Sequence, residues 1–357
     1  ASNPISIITG GPGTGKTTVL KVILYIYQKK CGNKVQLMAP TGRAARRMAE
    51  STGSGDATTM HMALGLFGDG DYEALIDELS ADFINVDEVS MVDMHLAYEF
   101  FYKVKAGARV LLVGDVHQLP SVGAGDVFRQ LILCGKIPVT VLNLVYRQGK
   151  DSNIPINAQL INEGKTNLQW GDDFQMIECS GADAAAQIVK NIYLKEIQVY
   201  GMEQVQILSP YKVRSAAGVL ELNRSLQDDV NPPVSGKQEL LGGEIFREGD
   251  RILQNKNTEV ASNGDLGTLV QISEDEDNNP IVQIVFTDGR RVKYEAEQVE
   301  MMEHANAITI HKSQGSECQV VIIPWLKAFY PMLKRNIFYT GITRAKLRVY
   351  IVGEWKA

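Results

Sequence analysis

Residues 10–18 read Gly-Gly-Pro-Gly-Thr-Gly-Lys-Thr-Thr and follow directly on the apolar run Ile5-Ser6-Ile7-Ile8. The next residues, Val19-Leu20-Lys21-Val22-Ile23-Leu24, carry a helical pattern. A glycine turn between a buried strand and a helix suits one ligand class above others. Its backbone N–H groups converge on phosphate oxygens, and the following helix aims its positive dipole end at the same anion. Lys16 adds a point charge for the β- and γ-phosphates, and the Thr17 hydroxyl is placed to ligate Mg²⁺. Gly11, Pro12, Gly13, Thr14, Gly15, Lys16, Thr17 and Thr18 are the expected nucleotide cradle.

At 357 residues the chain is long enough for two or three domains. An apolar content of 45% supplies packed cores, and no apolar run reaches the about 18 residues of a membrane span. No signal peptide is visible, because the apolar start belongs to the nucleotide-binding strand. Cys31, Cys134, Cys179 and Cys318 are scattered, without a Cys-x-x-Cys pair. They argue against zinc, iron–sulfur or a disulfide framework and fit a reducing cytoplasm. The net charge of −6 disfavours a nucleic-acid partner by itself, yet basic residues cluster locally at Arg43, Arg46 and Arg47. The nucleotide strand starts so close to the first residue that a piece of a longer protein is expected.

Strand and helix patterns alternate through the first half. Val35–Ala39, Phe83–Glu88, Arg109–Asp115 and Val139–Leu144 read as short continuous apolar strands. Such strands, separated by helices, form a parallel sheet covered on both faces. Ligands gather at the carboxyl ends of these strands. The phosphate loop, Thr41, Asp87-Glu88 and Asp115–Gln118 are thus expected along one edge. Asp87 suits Mg²⁺ binding, Glu88 is placed to orient or deprotonate the attacking water, and Gln118 to sense the γ-phosphate.

The second half begins with a mixed stretch. Ala184–Ile197 and Ser215–Gln227 read as helices and Val205–Leu208 as a strand. Residues 242–303 then change texture, with short segments at Arg251–Asn255, Gly267–Ile272, Ile281–Phe286, Arg290–Tyr294 and Gln298–Met302. Turn residues separate them, as in a small antiparallel barrel-like insertion. Ala307–Ile310, Val320–Ile323 and Leu347–Val352 return to parallel-sheet character. Arg147 and Arg344 are candidates for stabilising charge on a transferring phosphoryl group.

The ordered series Gly10–Thr18, Ala39–Ala45, Thr58–His61, Val86–Asp93, Val113–Val122, Tyr146–Gln148, Thr309–Glu317 and Tyr339–Ala345 resembles the helicase motifs of superfamily 1. Its wording is similar to the RecD-like branch, assigned to subfamily 1B. The match runs from residue 5 to about residue 353. The resemblance implies an α/β fold of two RecA-like P-loop motor domains, 1–150 and 151–357, with ATP in their cleft. It also implies an SH3-like insertion over about 242–303 and a short strand-separating hairpin over about 66–80, near Phe67–Ala74. It carries Thr41, Arg43, Thr59, His61, Thr309, His311 and Lys312 over as single-strand contacts, Gln314, Gly315 and Glu317 as residues near the nucleotide, and Tyr146 as a stack for adenine. The resemblance places the glutamine that reads adenine in this family upstream of residue 5, in an N-terminal region expected to belong to the longer protein.

The implied activity is ATP-dependent movement on single-stranded DNA, 5′-to-3′, with unwinding at duplex junctions in repair or recombination. The expected protein is a bacterial cytoplasmic monomer, nucleoid-associated when active, with no membrane and with other repair proteins as partners. A nucleic-acid-regulated ATPase that does not translocate, and an RNA helicase, stay open as alternatives. Cutting of DNA would need a partner, because no nuclease acid cluster stands apart from the ATP site.

Overall fold

Six strands pair in parallel in the first half of the chain: β1 (Ile5–Gly10), β2 (Val35–Ala39), β3 (Ala57–Thr59), β4 (Phe83–Val86), β5 (Arg109–Gly114) and β6 (Val139–Leu142). Their spatial order is β3-β2-β4-β5-β1-β6. The continuous apolar runs have a direct cause. Ile7, Ile84, Val110 and Leu112 enter one core, while Ile8, Phe83, Leu111 and Val113 enter a second core on the opposite face. A strand buried on both faces has no polar side to alternate with. The computed structural model describes residues 3–30, 32–53, 55, 57–66, 76–143, 152–234, 238–241, 243–258 and 260–355. The expected hairpin near Phe67–Ala74, together with Tyr146 and Arg147, lies outside the described residues. The chain divides into two compact units, Ala1–Pro155 and Ile156–Ala357.

The second unit opens with β7 (Phe174–Glu178) and β8 (Val205–Ser209). It then runs through an antiparallel insertion of β9 (Gln238–Leu241), β10 (Glu244–Arg247), β11 (Arg251–Gln254), β12 (Leu266–Glu274), β13 (Pro280–Phe286), β14 (Arg291–Tyr294) and β15 (Met302–His304). It closes with β16 (Ala307–Thr309), β17 (Cys318–Trp325) and β18 (Ala345–Gly353). The parallel sheet has the order β16-β8-β17-β18-β7, and the main insertion sheet the order β14-β13-β12-β11-β15. The insertion has its own core around Phe246, Ile252, Leu269, Ile284 and Tyr294. β15 pairs with β11 and returns the chain to β16. Buried side chains fasten that return. Asn223 Nδ2 donates to the His304 and Ala307 carbonyls at 2.8 and 2.9 Å, and Arg251 Nη1 donates to the Met202 and Val205 carbonyls at 2.8 and 2.9 Å.

An α/β fold of parallel sheets with a separate antiparallel insertion is what the sequence patterning implied. Two local expectations need correction. Ser215–Gly218 form a turn, and the helix runs over Val219–Val230 instead. Gln298–Met302 is not a strand. Glu295 caps the short helix Ala296–Val299, Gln298 returns the bond to the Glu295 backbone, and the strand starts only at Met302.

Candidate nucleotide site and strand-contact loops

β1 delivers the chain into the phosphate loop through Gly10, where no side chain fits. A Cβ there would sit 2.7 Å from Thr14 Oγ1 and 2.8 Å from the Leu142 carbonyl oxygen. Gly13 and Gly15 take the left-handed backbone, with φ of 72° and 86°, and the helix Lys16–Tyr25 starts immediately. Thr14 Oγ1 donates to the Gly11 carbonyl at 2.8 Å and ties the loop to itself. Lys16 Nζ donates to the carbonyls of Gly10 and Gly11 at 2.7 and 2.9 Å, so its charge lies over the loop. Thr17 and Thr18 are exposed at the first turn of the helix.

The acids arrive from β4, two strands away from β1 with β5 between them. Asp87 follows the strand, and its Oδ1 accepts from the Glu88 N–H at 2.8 Å. Glu88 itself sits at φ 52°, ψ 40°, a left-handed conformation that costs a non-glycine residue about 1–3 kcal/mol. The turn Val89–Met91 behind it presses on the end of β5, where a Cβ on Gly114 would come within 3.3 Å of the Val89 nitrogen. Burial first, and the neighbouring Glu88 charge second, push the Asp87 carboxyl up to about 6, against the pull of Lys16 and Arg47. A carboxylate held this way gains from a nearby cation.

The loop after β5 falls between these two groups in the sheet. Asp115 is fully buried and accepts from the His117 N–H at 3.0 Å and from Gln118 Nε2 at 3.3 Å. Gln118 is 6% exposed, and its Oε1 is buried without a hydrogen-bond partner among the described residues. A buried amide oxygen left unsatisfied costs about 1–3 kcal/mol, so this oxygen is suited to a polar ligand. Phosphate loop, acids and amide thus follow three neighbouring strands of one sheet.

Next along the edge are the ends of β2 and β3, where a repeated device appears. Thr41 Oγ1 accepts from the Ala44 N–H at 3.3 Å and Thr59 Oγ1 from the Met62 N–H at 3.2 Å, each capping the helix that follows. In the second unit Thr309 Oγ1 accepts from the Lys312 N–H at 3.2 Å after β16. Among the described residues each threonine hydroxyl only accepts, which leaves its O–H to donate beside the positive end of a helical turn. Arg43 lies in the first turn of the helix Gly42–Thr52, and His61 in the helix Met60–Ala63. His61 is exposed, yet packing at its base lowers its pKa, with Asp93 opposing and His95 adding.

His311 and Lys312 form the turn after Thr309. Burial, and then the charge of Lys334, hold the His311 imidazole below its ordinary range. Burial also lowers the Lys312 ammonium, Glu303 opposing and Lys212 adding to the shift. Lys312 Nζ donates to Asn263 Oδ1 in the insertion. Gln314 is buried, Gly315 takes φ 72°, and Glu317 faces Lys346 at 3.5 Å. Arg344 is 3% exposed. Its Nε donates to the Thr340 carbonyl at 3.1 Å, Nη1 to the Ser316 carbonyl at 3.2 Å and Nη2 to Thr343 Oγ1 at 3.3 Å. Those partners are all neutral oxygens.

Sequence reasoning passed over Lys212 and Arg214, on the loop after β8 beside β16. Arg214 takes φ 61°, and Lys212 Nζ meets Glu303 Oε1 at 2.5 Å. The sequence signal was the basic run Tyr211-Lys212-Val213-Arg214 at a strand end.

Residues 1–182 match a family model described as an AAA domain, 222–286 the SH3 domain of ATP-dependent RecD-like DNA helicases, and 304–352 the C-terminal domain of UvrD-like helicases. The chain is 34% identical, over its whole length, to an ATP-dependent RecD2 DNA helicase of Deinococcus radiodurans, and it spans 48% of that protein. It is 25% identical over 99% of its residues to the RecD subunit of the RecBCD enzyme of Haemophilus influenzae, of which it spans 67%. Its fold is similar to that of a Pif1 helicase described in DNA unwinding at forked duplexes, with TM-score 0.59, 20% identity and coverage of 98% of this chain and 87% of that one. Bacteroides Pif1 bound to single-stranded DNA follows, with TM-score 0.57, 19% identity and coverage of 99% and 89%.

Proposed function

This chain belongs to the RecD-like helicases of superfamily 1, and we propose that it is an ATP-driven motor that moves on single-stranded DNA and unwinds duplexes at junctions. One observation carries this reading. A single sheet edge in the first unit carries the glycine loop with Lys16, the acids Asp87 and Glu88, the buried amide of Gln118 and the helix-capping Thr41 and Thr59, each after its own strand.

Lys16 and the loop N–H groups bind the β- and γ-phosphates. Mg²⁺ held by Thr17 and Asp87 would supply charge neutralisation on the phosphate oxygens. The carboxyl of Asp87, held at about 6, fits that role, because a cation stabilises its ionised form. Glu88 orients the attacking water and takes its proton, and Gln118 Oε1 accepts a hydrogen bond from that water or from the ligand. Arg344, with Arg147, stabilises charge on the γ-phosphoryl group, while Tyr146, Gln314, Gly315 and Glu317 flank the nucleotide.

Thr41, Arg43, Thr59, His61, Thr309, His311 and Lys312 grip the DNA backbone. Hydroxyls, amides and cations bind phosphates without reading sequence. A near-neutral His311 acts there as a hydrogen-bond donor. Opening a base-pair step costs on the order of 1–2 kcal/mol, which ATP turnover readily supplies. The proposed direction is 5′-to-3′, and the proposed setting is DNA repair or recombination in a bacterial cytoplasm, as a monomer.

Unwinding of a labelled duplex carrying either a 5′ or a 3′ single-stranded tail tests the reading. Strand release should require ATP, Mg²⁺ and the 5′ tail. Release only from the 3′-tailed duplex would reverse the direction. Rapid hydrolysis without release from either would favour the nucleic-acid-regulated ATPase, and a preference for RNA tails the RNA helicase.

A further inference from the structure

The chain contains three tryptophans, Trp170, Trp325 and Trp355, spread over 186 residues of sequence, and all three line one cavity of the second unit. Its volume is about 390 Å³, within the roughly 300–1,000 Å³ of small-ligand sites. Trp170 and Trp355 meet edge to face at 5.1 Å, and Trp325 leans on Phe338 at 4.7 Å. These rings are not simply core. Trp170 is 40% and Trp355 55% exposed. Exposed indole surface around a concave site, rather than scattered singly, marks a binding surface.

The rim supplies charge. Lys334 and Arg335, both exposed, begin the helix Arg335–Ile342 and line the cavity. Among the described residues neither side chain has an ion-pair partner. The one acid in the lining, Glu354, turns its Oε2 to the Lys327 N–H at 2.8 Å. Aromatic faces beside free cations at a helix start fit a flat π-system joined to an anion.

The position of the helix narrows the choice. At its far end Gly341 packs against Ile323 and touches Ile310, where a Cβ would lie 3.0 and 3.4 Å from their Cδ1 atoms. Ile310 directly precedes His311 and Lys312. Trp325 ends β17 and Trp355 follows β18, at the carboxyl edge of the sheet whose β16 leads into His311 and Lys312, and the Lys334 charge reaches the His311 imidazole.

We propose that this cavity receives one unpaired nucleotide of the single strand, its base stacked on the indoles and its phosphate on Lys334 and Arg335. This rests on the strand-binding reading above, and it adds a base-stacking site to a contact set otherwise made of phosphate grips. Stacking of this kind is tolerant of sequence and contributes about 1–3 kcal/mol per base.

Since all three tryptophans line the cavity, tryptophan emission, excited selectively over the 13 tyrosines, reports on it. We would titrate the protein with end-labelled oligothymidylate and with an abasic strand of equal length, following tryptophan emission and label anisotropy together. The expected result is binding of both strands, with saturable quenching by oligothymidylate only. Trp355→Ala should weaken oligothymidylate binding about fivefold or more and leave the abasic strand unchanged, which also shows that the variant is folded. Trp355→Phe should restore most of the affinity. Binding by anisotropy with no emission change, equal quenching by the abasic strand, or an unaffected Trp355→Ala variant would each overturn the pocket while leaving the motor reading intact. A cavity that serves a peptide of a partner protein gives the first of these results. Absence of binding by either strand would remove the strand-binding reading itself, and the pocket with it.

Discussion

Lys16 in the first unit and Arg344 in the second are both cations held by neutral oxygens, yet they are prepared differently. Lys16 is half-buried on a flexible stem, bonded to two loop carbonyls, and it acts on a carboxyl whose pKa has been pushed up to about 6. Arg344 is buried, and three of its nitrogens are fixed by Thr340, Ser316 and Thr343. The lysine belongs to a site that collects opposing charges within one unit. The arginine is a preorganised charge with no carboxylate partner among the described residues. In the first unit Lys16, acids and hydroxyls thus follow the strands of one parallel sheet, whereas Arg344 stands at the entry to β18. A shared fold sets where functional groups stand, and strand-end residues decide what they do.

The comparison breaks most sharply at Arg344. Arg344→Ala should slow ATP turnover about 10³-fold, as expected for loss of a transition-state arginine. Arg344→Lys should fail to restore it, because a lysine cannot satisfy three separate acceptors in fork geometry. Steady-state hydrolysis, with a thermal melt to confirm folding, checks both. Turnover close to the parent's would reduce Arg344 to a structural strut.

Asp87→Asn sharpens the other side. It should stop hydrolysis yet stabilise the fold. The raised carboxyl binds an extra proton in the folded state between the ordinary value of 3.8 and about 6. Its contribution is therefore intact below pH about 4, is lost as pH rises through about 6, and stays lost above. The variant should equal the parent in stability near pH 4 and exceed it above pH 6, by about 3 kcal/mol at most. Denaturant titrations across that range would show it. A variant less stable than the parent at pH 7 would mean that the carboxylate is already well compensated.

Smaller effects separate the capped threonines. Thr41→Val and Thr309→Val remove a cap worth about 1 kcal/mol together with a phosphate donor. Each should lower the melting temperature slightly and weaken single-strand binding, whereas Thr41→Ser should do neither. The smallest signal belongs to Lys312→Ala, which should flatten the slope of log affinity against log salt by about 0.7 for a single strand. An unchanged slope would take Lys312 off the backbone.

Strands β4, β5 and β17 were readable from sequence because burial on both faces writes a continuous apolar run. β3 was not, since Ala57–Thr59 is too short to show any period. Gln298–Met302 misled because its apolar residues read as a strand, although Val299 and Met302, both buried and three apart, share a face only in a helical turn. The Glu295 and Gln298 capping pair was the local signal that distinguishes them. Motif spacing named the nucleotide residues, but not the unsatisfied oxygen of Gln118, which exists only once Asp115 has folded the loop. The tryptophan cavity was equally hidden, because its walls come from segments that only the fold brings together.

The most direct test is steady-state ATP hydrolysis at low salt, with and without single-stranded DNA, for the parent and for Lys16→Ala. The account predicts strong stimulation by DNA in the parent and a loss of about 10²–10³-fold or more in the variant. Hydrolysis indifferent to DNA, or surviving the loss of Lys16, would contradict a DNA-coupled motor built on this phosphate loop.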